Sequence, residues 1–179
     1  MDLSSVSLEI IGHAVVSADG RIADQQRQMP AMLRNDKDWS RFQAALDRAA
    51  LVVLGRLGHE AHPNPGRRRL VVTSRVADFE EIDPQVLLWN PAGLEFDAVL
   101  ARLGITAGEI AVTGGQAVFD LFLKRFTRFD LVTVDGALIP DGVPCFSTGW
   151  PDEVLAQAGL RVREREALDP GVRLEVWRR

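Results

Sequence analysis

The stretches able to do chemistry are short and sit where apolar runs end. Ile110-Ala111-Val112-Thr113-Gly114-Gly115-Gln116-Ala117-Val118 passes from an apolar run through two glycines into residues at helical spacing, Val118, Leu121 and Phe122. That pattern predicts a strand, a tight turn and a helix. The first amides of such a helix lack partners and point beyond the strand end. An anion is favoured there, and two residues without side chains let a ligand approach the backbone. A glycine turn that only reverses the chain would look the same. Other apolar runs end at Ser17-Ala18-Asp19-Gly20, Gly55-Arg56 and Thr73-Ser74-Arg75. In open α/β sheets ligands bind beyond the carboxyl ends of the strands. Small residues, hydroxyls and arginines dominate these ends, and only the first carries a carboxylate, which suits a phosphorylated ligand. Ser74 and Arg75 together could hold a terminal phosphate through charge-assisted hydrogen bonds. The dinucleotide fingerprint of the doubly wound fold and the lysine-bearing phosphate loop are both absent.

The elements that must position these ends follow from hydrophobic periodicity. Leu8 to Val16, interrupted by Gly12 and His13, reads as a central strand. Leu51 to Leu54, Leu70 to Thr73, Val86 to Trp89 and Leu131 to Val134 read as further strands. Asn35 or Asp36 can cap a helix with Trp39, Phe42, Leu46 and Ala49 on one face. A second helix runs from about Phe96 to Leu103 and stops at Gly104. The helix after Gly115 is expected to finish with Lys124, Arg125 and Arg128, cations that its dipole favours. Leu160 to Glu166 and Val172 to Trp177 alternate like an antiparallel pair around Asp169-Pro170-Gly171. The expectation is one α/β domain over residues 1–179. Its mostly parallel sheet of about eight strands carries helices on both faces and a C-terminal antiparallel hairpin.

Composition narrows the function classes. A chain of 179 residues with net charge −4 shows no bulk basic face for nucleic acid, although Arg67, Arg68 and Arg69 cluster. Cys145 is the only cysteine, so no intrachain disulfide can form and a reducing, cytoplasmic home is expected. Neither a signal peptide nor a bilayer-length apolar run is visible. His59 and His62 flank Glu60 at helical spacing, but two histidines do not complete a zinc site, and no metal is expected. The expected partner is a small molecule, with no nucleic acid or membrane, bound by a monomer or homodimer.

Taken in order, several motifs carry a resemblance. They are Val15-Val16-Ser17-Ala18-Asp19-Gly20-Arg21-Ile22-Ala23, Val53-Leu54-Gly55-Arg56, Pro65-Gly66-Arg67 leading to Val71-Val72-Thr73-Ser74-Arg75, Val112-Thr113-Gly114-Gly115, and Phe129-Asp130-Leu131-Val132-Thr133. The set resembles the dihydrofolate reductase superfamily, which includes the reductase half of bifunctional riboflavin-biosynthesis enzymes. The resemblance implies NADPH as hydride donor. Gly55, Arg56 and the following amides would hold its diphosphate, and Thr73, Ser74 and Arg75 its 2′-phosphate. Thr113, Gly114, Gly115, Gln116, Ala117 and Val118 would pass beneath it, with Ile22 and Ala23 completing the site. In the family the paired glycines are joined by a cis peptide.

On the substrate side the resemblance implies a carboxylate a few residues beyond Met29-Pro30. Ungapped counting lands on Asp36, with Asp38 as competitor, although Asn35-Asp36-Lys37-Asp38 is equally an ordinary helix-capping cluster. Thr133 would hydrogen-bond that carboxylate, His13, Ala14 and Val15 would line the substrate, and Arg67 would meet a folate carboxylate. Ala31, Lys37, Gly58 and Phe119 depart from the pattern. The implied reaction is hydride transfer to a dihydropterin, 7,8-dihydrofolate or a related pterin. The alternatives are a riboflavin-pathway pyrimidine reductase, a dihydromethanopterin reductase, and an NADPH-binding module without turnover.

Overall fold

The computed structural model describes residues 7–179. Alternating short strands and helices make up its first half: β1 (Leu8–Ser17), β2 (Arg21–Ala23), a 3₁₀ turn (Ala31–Leu33), α1 (Asp36–Arg48), β3 (Leu51–Gly55), α2 (Arg56–Ala61), β4 (Arg69–Val72), β5 (Phe79–Asp83) and β6 (Val86–Trp89). The second half holds α3 (Phe96–Leu103), β7 (Gly108–Val112), α4 (Gln116–Phe122), β8 (Arg128–Val134), β9 (Val143–Pro144), α5 (Pro151–Gln157), β10 (Arg161–Asp169) and β11 (Val172–Arg178).

Nine strands form one sheet in the order β10-β11-β8-β1-β7-β3-β4-β6-β5. The six from β8 to β6 are parallel, while β11, β10 and β5 are antiparallel additions at the edges. β2 and β9 form a separate two-stranded ribbon. The expected architecture is present, with one strand more than anticipated. β5 escapes a periodicity reading because Phe79-Glu80-Glu81-Ile82-Asp83 is an exposed edge, with no buried face to impose alternation. β2 and β9 are too short to show a pattern, and α5 buries only Pro151, Val154 and Leu155.

Burial explains the layering. Phe96, Val99 and Leu100 of α3, Val118, Phe119 and Phe122 of α4 and Val154 and Leu155 of α5 pack into one core with Ile10, Val16, Leu70 and Ile110. Gly12 in β1 belongs to this packing, because an added Cβ would lie 2.2 Å from the Phe129 ring. On the opposite face Leu46 and Phe42 of α1 meet Val52 and Ala111, and Gly58 of α2 lies against Leu54.

Two expectations for the helices change. Trp39 is 51% exposed and does not share the buried face of Leu46. α4 ends at Phe122, so Lys124, Arg125 and Arg128 lie beyond it. Arg125 instead pairs with Asp97 and covers the Phe96 ring, and Arg128 begins β8. Among the described residues no helix is long and apolar enough to cross a membrane.

Candidate active site

Three neighbouring parallel strands, β7, β3 and β4, bring the glycine and hydroxyl ends together. The Gly55 amide donates to the Gly114 carbonyl at 2.9 Å, and the Thr113 amide to that of Val53 at 2.9 Å. Gly114 and Gly115 are joined by a cis peptide. Gly114 has φ +101°, and a Cβ there would stand 2.8 Å from the Phe119 ring, so no other residue fits. Gly115 is exposed, and a Cβ there would meet open space. Ala117 is exposed beside it, and Val118 is buried.

One strand further, Thr73 is buried and its hydroxyl accepts from the Arg75 amide at 3.2 Å. Ser74 and Arg75 are exposed, and the Arg75 guanidinium has no ion-pair partner among the described residues. Arg56 is committed elsewhere, with both oxygens of Glu60 within 3.0 Å. The Gln116 amide group donates to the Pro144 carbonyl at 3.2 Å. That bond sets the β2–β9 ribbon, and with it Ile22 and Ala23, against the start of α4.

The turn after β1 is internally satisfied. Ser17 donates to Asp19, and both Asp19 oxygens accept from the Ile139 amide, at 3.0 and 3.2 Å. Burial works against ionisation of Asp19, but these hydrogen bonds outweigh it and hold its carboxyl below the usual range. Asp19 therefore organises the loop.

The residues expected to meet a substrate depart from expectation at several positions. Asp36 is exposed at the first turn of α1, behind an Asn35 cap whose side chain accepts from the Lys37 and Asp38 amides. Asp38 is the α1 carboxylate turned to the sheet, with its side chain 13% exposed and bonded to Arg41 at 3.1 Å. Burial raises its pKa, partly offset by Arg41. Thr133 does not reach α1. Its neighbours Val132 and Val134 pack on the side that holds Leu33 and Leu174, and strand alternation sends Thr133 to the other face. Ala14 alternates away likewise, while His13 and Val15 face α1.

Arg67 is not free to bind a substrate carboxylate. Its guanidinium donates to Asp47 at 2.7 and 2.9 Å, to Asn64 at 3.0 Å and to the Gln43 carbonyl at 3.4 Å.

What sequence reasoning missed is a charged cluster beneath Asp38. Asp130 is 2% exposed and takes two bonds from Arg128, at 2.7 and 3.1 Å, and one from Arg41 at 3.1 Å. Burial opposes the Arg128 charge, but Asp130 outweighs it and raises the pKa. A charged residue inside the apolar run Phe129-Asp130-Leu131-Val132 was the available signal, since buried charges require partners. His13 lies opposite Asp130 in register, with its Nδ1 3.8 Å from the carboxylate and no hydrogen bond.

Burial first, with help from Arg41 and Arg128, pushes the His13 pKa down to about 4 against the pull of Asp130. The native state thus refuses a proton that the unfolded chain accepts below its ordinary value of 6.5. The stability that neutral His13 confers is complete above pH 6.5 and is lost as pH falls toward 4. Its size is about 2–4 kcal/mol, because each tenfold loss of proton affinity on folding corresponds to roughly 1.4 kcal/mol. Urea unfolding at pH 7 and pH 4.5 should show a difference that shrinks by this amount in His13→Leu; an unchanged difference would acquit His13.

No protein-family profile and no curated protein matches the sequence. Among solved structures, dihydrofolate reductase from Enterococcus faecalis, complexed with NADP(H) and RAB-propyl, superposes with TM-score 0.69 at 15% identity over 95% of both chains. A riboflavin biosynthesis protein from Shewanella sp. PV-4 gives 0.67 at 20% identity, over 95% of this chain and 98% of that one. The diaminohydroxyphosphoribosylaminopyrimidine deaminase/5-amino-6-(5-phosphoribosylamino)uracil reductase of Thermotoga maritima gives 0.69 at 18% identity, over 96% of this chain and 56% of that one. At such identities the likeness speaks for architecture alone: the chain has the dihydrofolate reductase-like fold.

Proposed function

We propose that this protein is an NADPH-dependent reductase that passes a hydride to a ring heterocycle, a dihydropterin or an aminopyrimidine. The observation that carries the reading is the convergence of Gly55, Thr73-Ser74-Arg75 and Gly114-Gly115 at the carboxyl edge of three adjacent parallel strands. These groups suit the cofactor. Gly115 leaves space where a side chain would intrude, backbone amides face the edge, and Arg75 is an exposed cation without an acidic neighbour bound to it. NADPH, when bound, supplies the hydride.

The chain's own part is positioning and proton handling. Gly55, Gly114 and Gly115 give the cofactor close access to backbone, and Thr73, Ser74 and Arg75 receive its 2′-phosphate. Arg56 is held by Glu60, so the diphosphate is met mainly by amides. Asp38 binds the amidine-like edge of the ring with two hydrogen bonds and assists its protonation. Its burial raises the pKa toward the range useful for an acid. Asp36, too exposed to be shielded from water, lies in the first turn of α1, where the helix dipole favours its charge.

Within this reading, dihydrofolate and a riboflavin-pathway pyrimidine differ in what supports them. Met29-Pro30 and an α1 carboxylate support the pterin. Ser17-Ala18-Asp19-Gly20-Arg21-Ile22-Ala23 supports the pyrimidine, as does an Arg67 already engaged by Asp47 and Asn64. A panel of dihydrofolate, dihydromethanopterin and the aminopyrimidine, assayed at fixed NADPH, separates them. NADPH bound without turnover of any would leave a binding module.

Arg75→Ala tests the cofactor assignment. Losing hydrogen bonds to a charged group costs about 1.5–3 kcal/mol, so the NADPH Kd should rise roughly 10- to 100-fold. NADH, which lacks the 2′-phosphate, should bind both forms alike in a fluorescence titration. Equal weakening for both cofactors would remove Arg75 from the phosphate site.

A further inference from the structure

Asp38 and Arg41 lie about one turn apart on α1 and are bonded to each other. Asp38 Oδ1 accepts from Arg41 Nη2 at 3.1 Å and keeps a second lone pair. Asp38 Oδ2 accepts no hydrogen bond from a described residue, and it is not among the sealed polar atoms, so a ligand can reach it. Water reaches both partners, whose side chains are 13% and 23% exposed. Nη2 carries two hydrogens and uses one on Asp38, so a second is left to donate.

The guanidinium is also held in place. Its Nη1 donates to Asp130 at 3.1 Å, and Asp130 is 2% exposed and fixed by two further bonds from Arg128. An arginine tied to two carboxylates keeps its direction when a ligand arrives, so little freedom is lost on binding.

Oδ2, Oδ1 and Nη2 therefore follow one another as acceptor, acceptor and donor. A carboxylate alone is matched by two neighbouring N–H groups, whatever comes next on the ring. With a guanidinium hydrogen beside it, the next ring substituent must be an acceptor. An amino group there would set donor against donor beside a fixed positive charge, a repulsive contact of the kind that makes a site selective.

We propose that Arg41 is a specificity-determining residue, donating to a ring carbonyl next to the N–H groups that Asp38 takes. The site then admits heterocycles whose edge runs amino, N–H, carbonyl, and turns away those with a second amino group in place of the carbonyl. The proposal rests on the reductase reading for the role of Asp38; the pairing of Asp38 with Arg41 does not.

Two minimal rings test it: isocytosine, which carries the carbonyl, and 2,4-diaminopyrimidine, which carries an amino group there. Each is titrated into the parent protein at a pH where both rings are neutral, with the α1 backbone amides followed by NMR. Isocytosine should bind roughly tenfold more tightly or better, the scale of a hydrogen bond to a charged group. Arg41→Met should erase that preference. Because this change leaves Asp130 one cation short, Arg41→Met combined with Asp130→Asn is titrated beside it, with the same result expected. A parent protein that binds the diamine as tightly as isocytosine overturns the proposal, as does a folded Arg41 variant that keeps the preference. Asp38→Asn should weaken both rings, which separates the two readings. Rings that need Asp38 but show no preference remove Arg41 alone. If neither ring binds, or Asp38→Asn changes neither affinity, the role given to Asp38 falls and the proposal with it. NADPH turnover is measured apart from these titrations.

Discussion

Replacing Asp130 with leucine is expected to remove about 3 kcal/mol of unfolding free energy, the low end of the range for breaking a buried ion pair. The carboxylate is 2% exposed and neutralises two guanidinium groups, which would be left facing one another beside His13. The low end applies because Arg41 and Arg128 keep 23% and 25% exposure and can turn partly toward water. Arg41 also retains Asp38. Urea unfolding at pH 7 measures the loss, with Asp135→Ala as control. Asp135 pairs with Arg173 where both are about half exposed, and such pairs contribute roughly 0–1 kcal/mol. If Asp130→Leu costs no more than that control, the cluster is not a structural centre.

The second large effect concerns Asp38. Under the proposed reaction, Asp38→Asn should lower kcat by about 10²- to 10⁴-fold, the usual contribution of a positioned acid. The NADPH Kd should hold, because Asp38 lies on α1 and the cofactor loops follow β3, β4 and β7. Asp36→Asn is the internal comparison. Its carboxylate is exposed and sits one residue past the cap, so turnover should fall no more than twofold, about 0.4 kcal/mol. Steady-state kinetics of the two variants, with cofactor binding measured separately, decides between the carboxylates. Loss of activity in Asp36→Asn alone would restore the aspartate that ungapped counting selects.

The two effects are coupled through Arg41. It bonds Asp38 at 3.1 Å and Asp130 at 3.1 Å, so a change at either carboxylate is felt at the other. The Asp130 variant should therefore show altered turnover beyond its loss of stability, and the pair calls for a double-mutant cycle rather than addition.

How far the chain could be read depended on the kind of information each feature uses. Strands flanked by punctuation were legible, because an apolar run and a glycine act locally. Gly104 closes α3 at φ +67°, Gly171 turns β10 into β11 at φ +74°, and Gly114 needs the positive φ that its neighbours demand. The loops proposed to hold the cofactor belong to the same class, since each lies where an apolar run stops. Their adjacency is a tertiary fact: β3 and β4 follow one another in the chain, but β5, β6 and α3 separate them from β7, and only sheet order brings Gly114 beside Gly55.

The residues proposed to meet the substrate depended on direction, which residue spacing along one element cannot supply. Asp36 and Asp38 are two residues apart on a helix, which turns them to different faces, and only packing of α1 on the sheet shows which one is inside. Thr133 is an apolar-run residue like its neighbours, yet a strand places successive side chains on opposite faces, and register sends it away from α1. Arg67 could be named as a cation but not as a committed one. Its partners Asp47 and Asn64 come from α1 and from the loop before β4, and their geometry exists only once α1 has docked. By itself the sequence determined the α/β class, the strand ends and the carriers of charge. The tertiary structure decided which charges are buried together and which remain open, because burial and pairing are properties of the packed sheet.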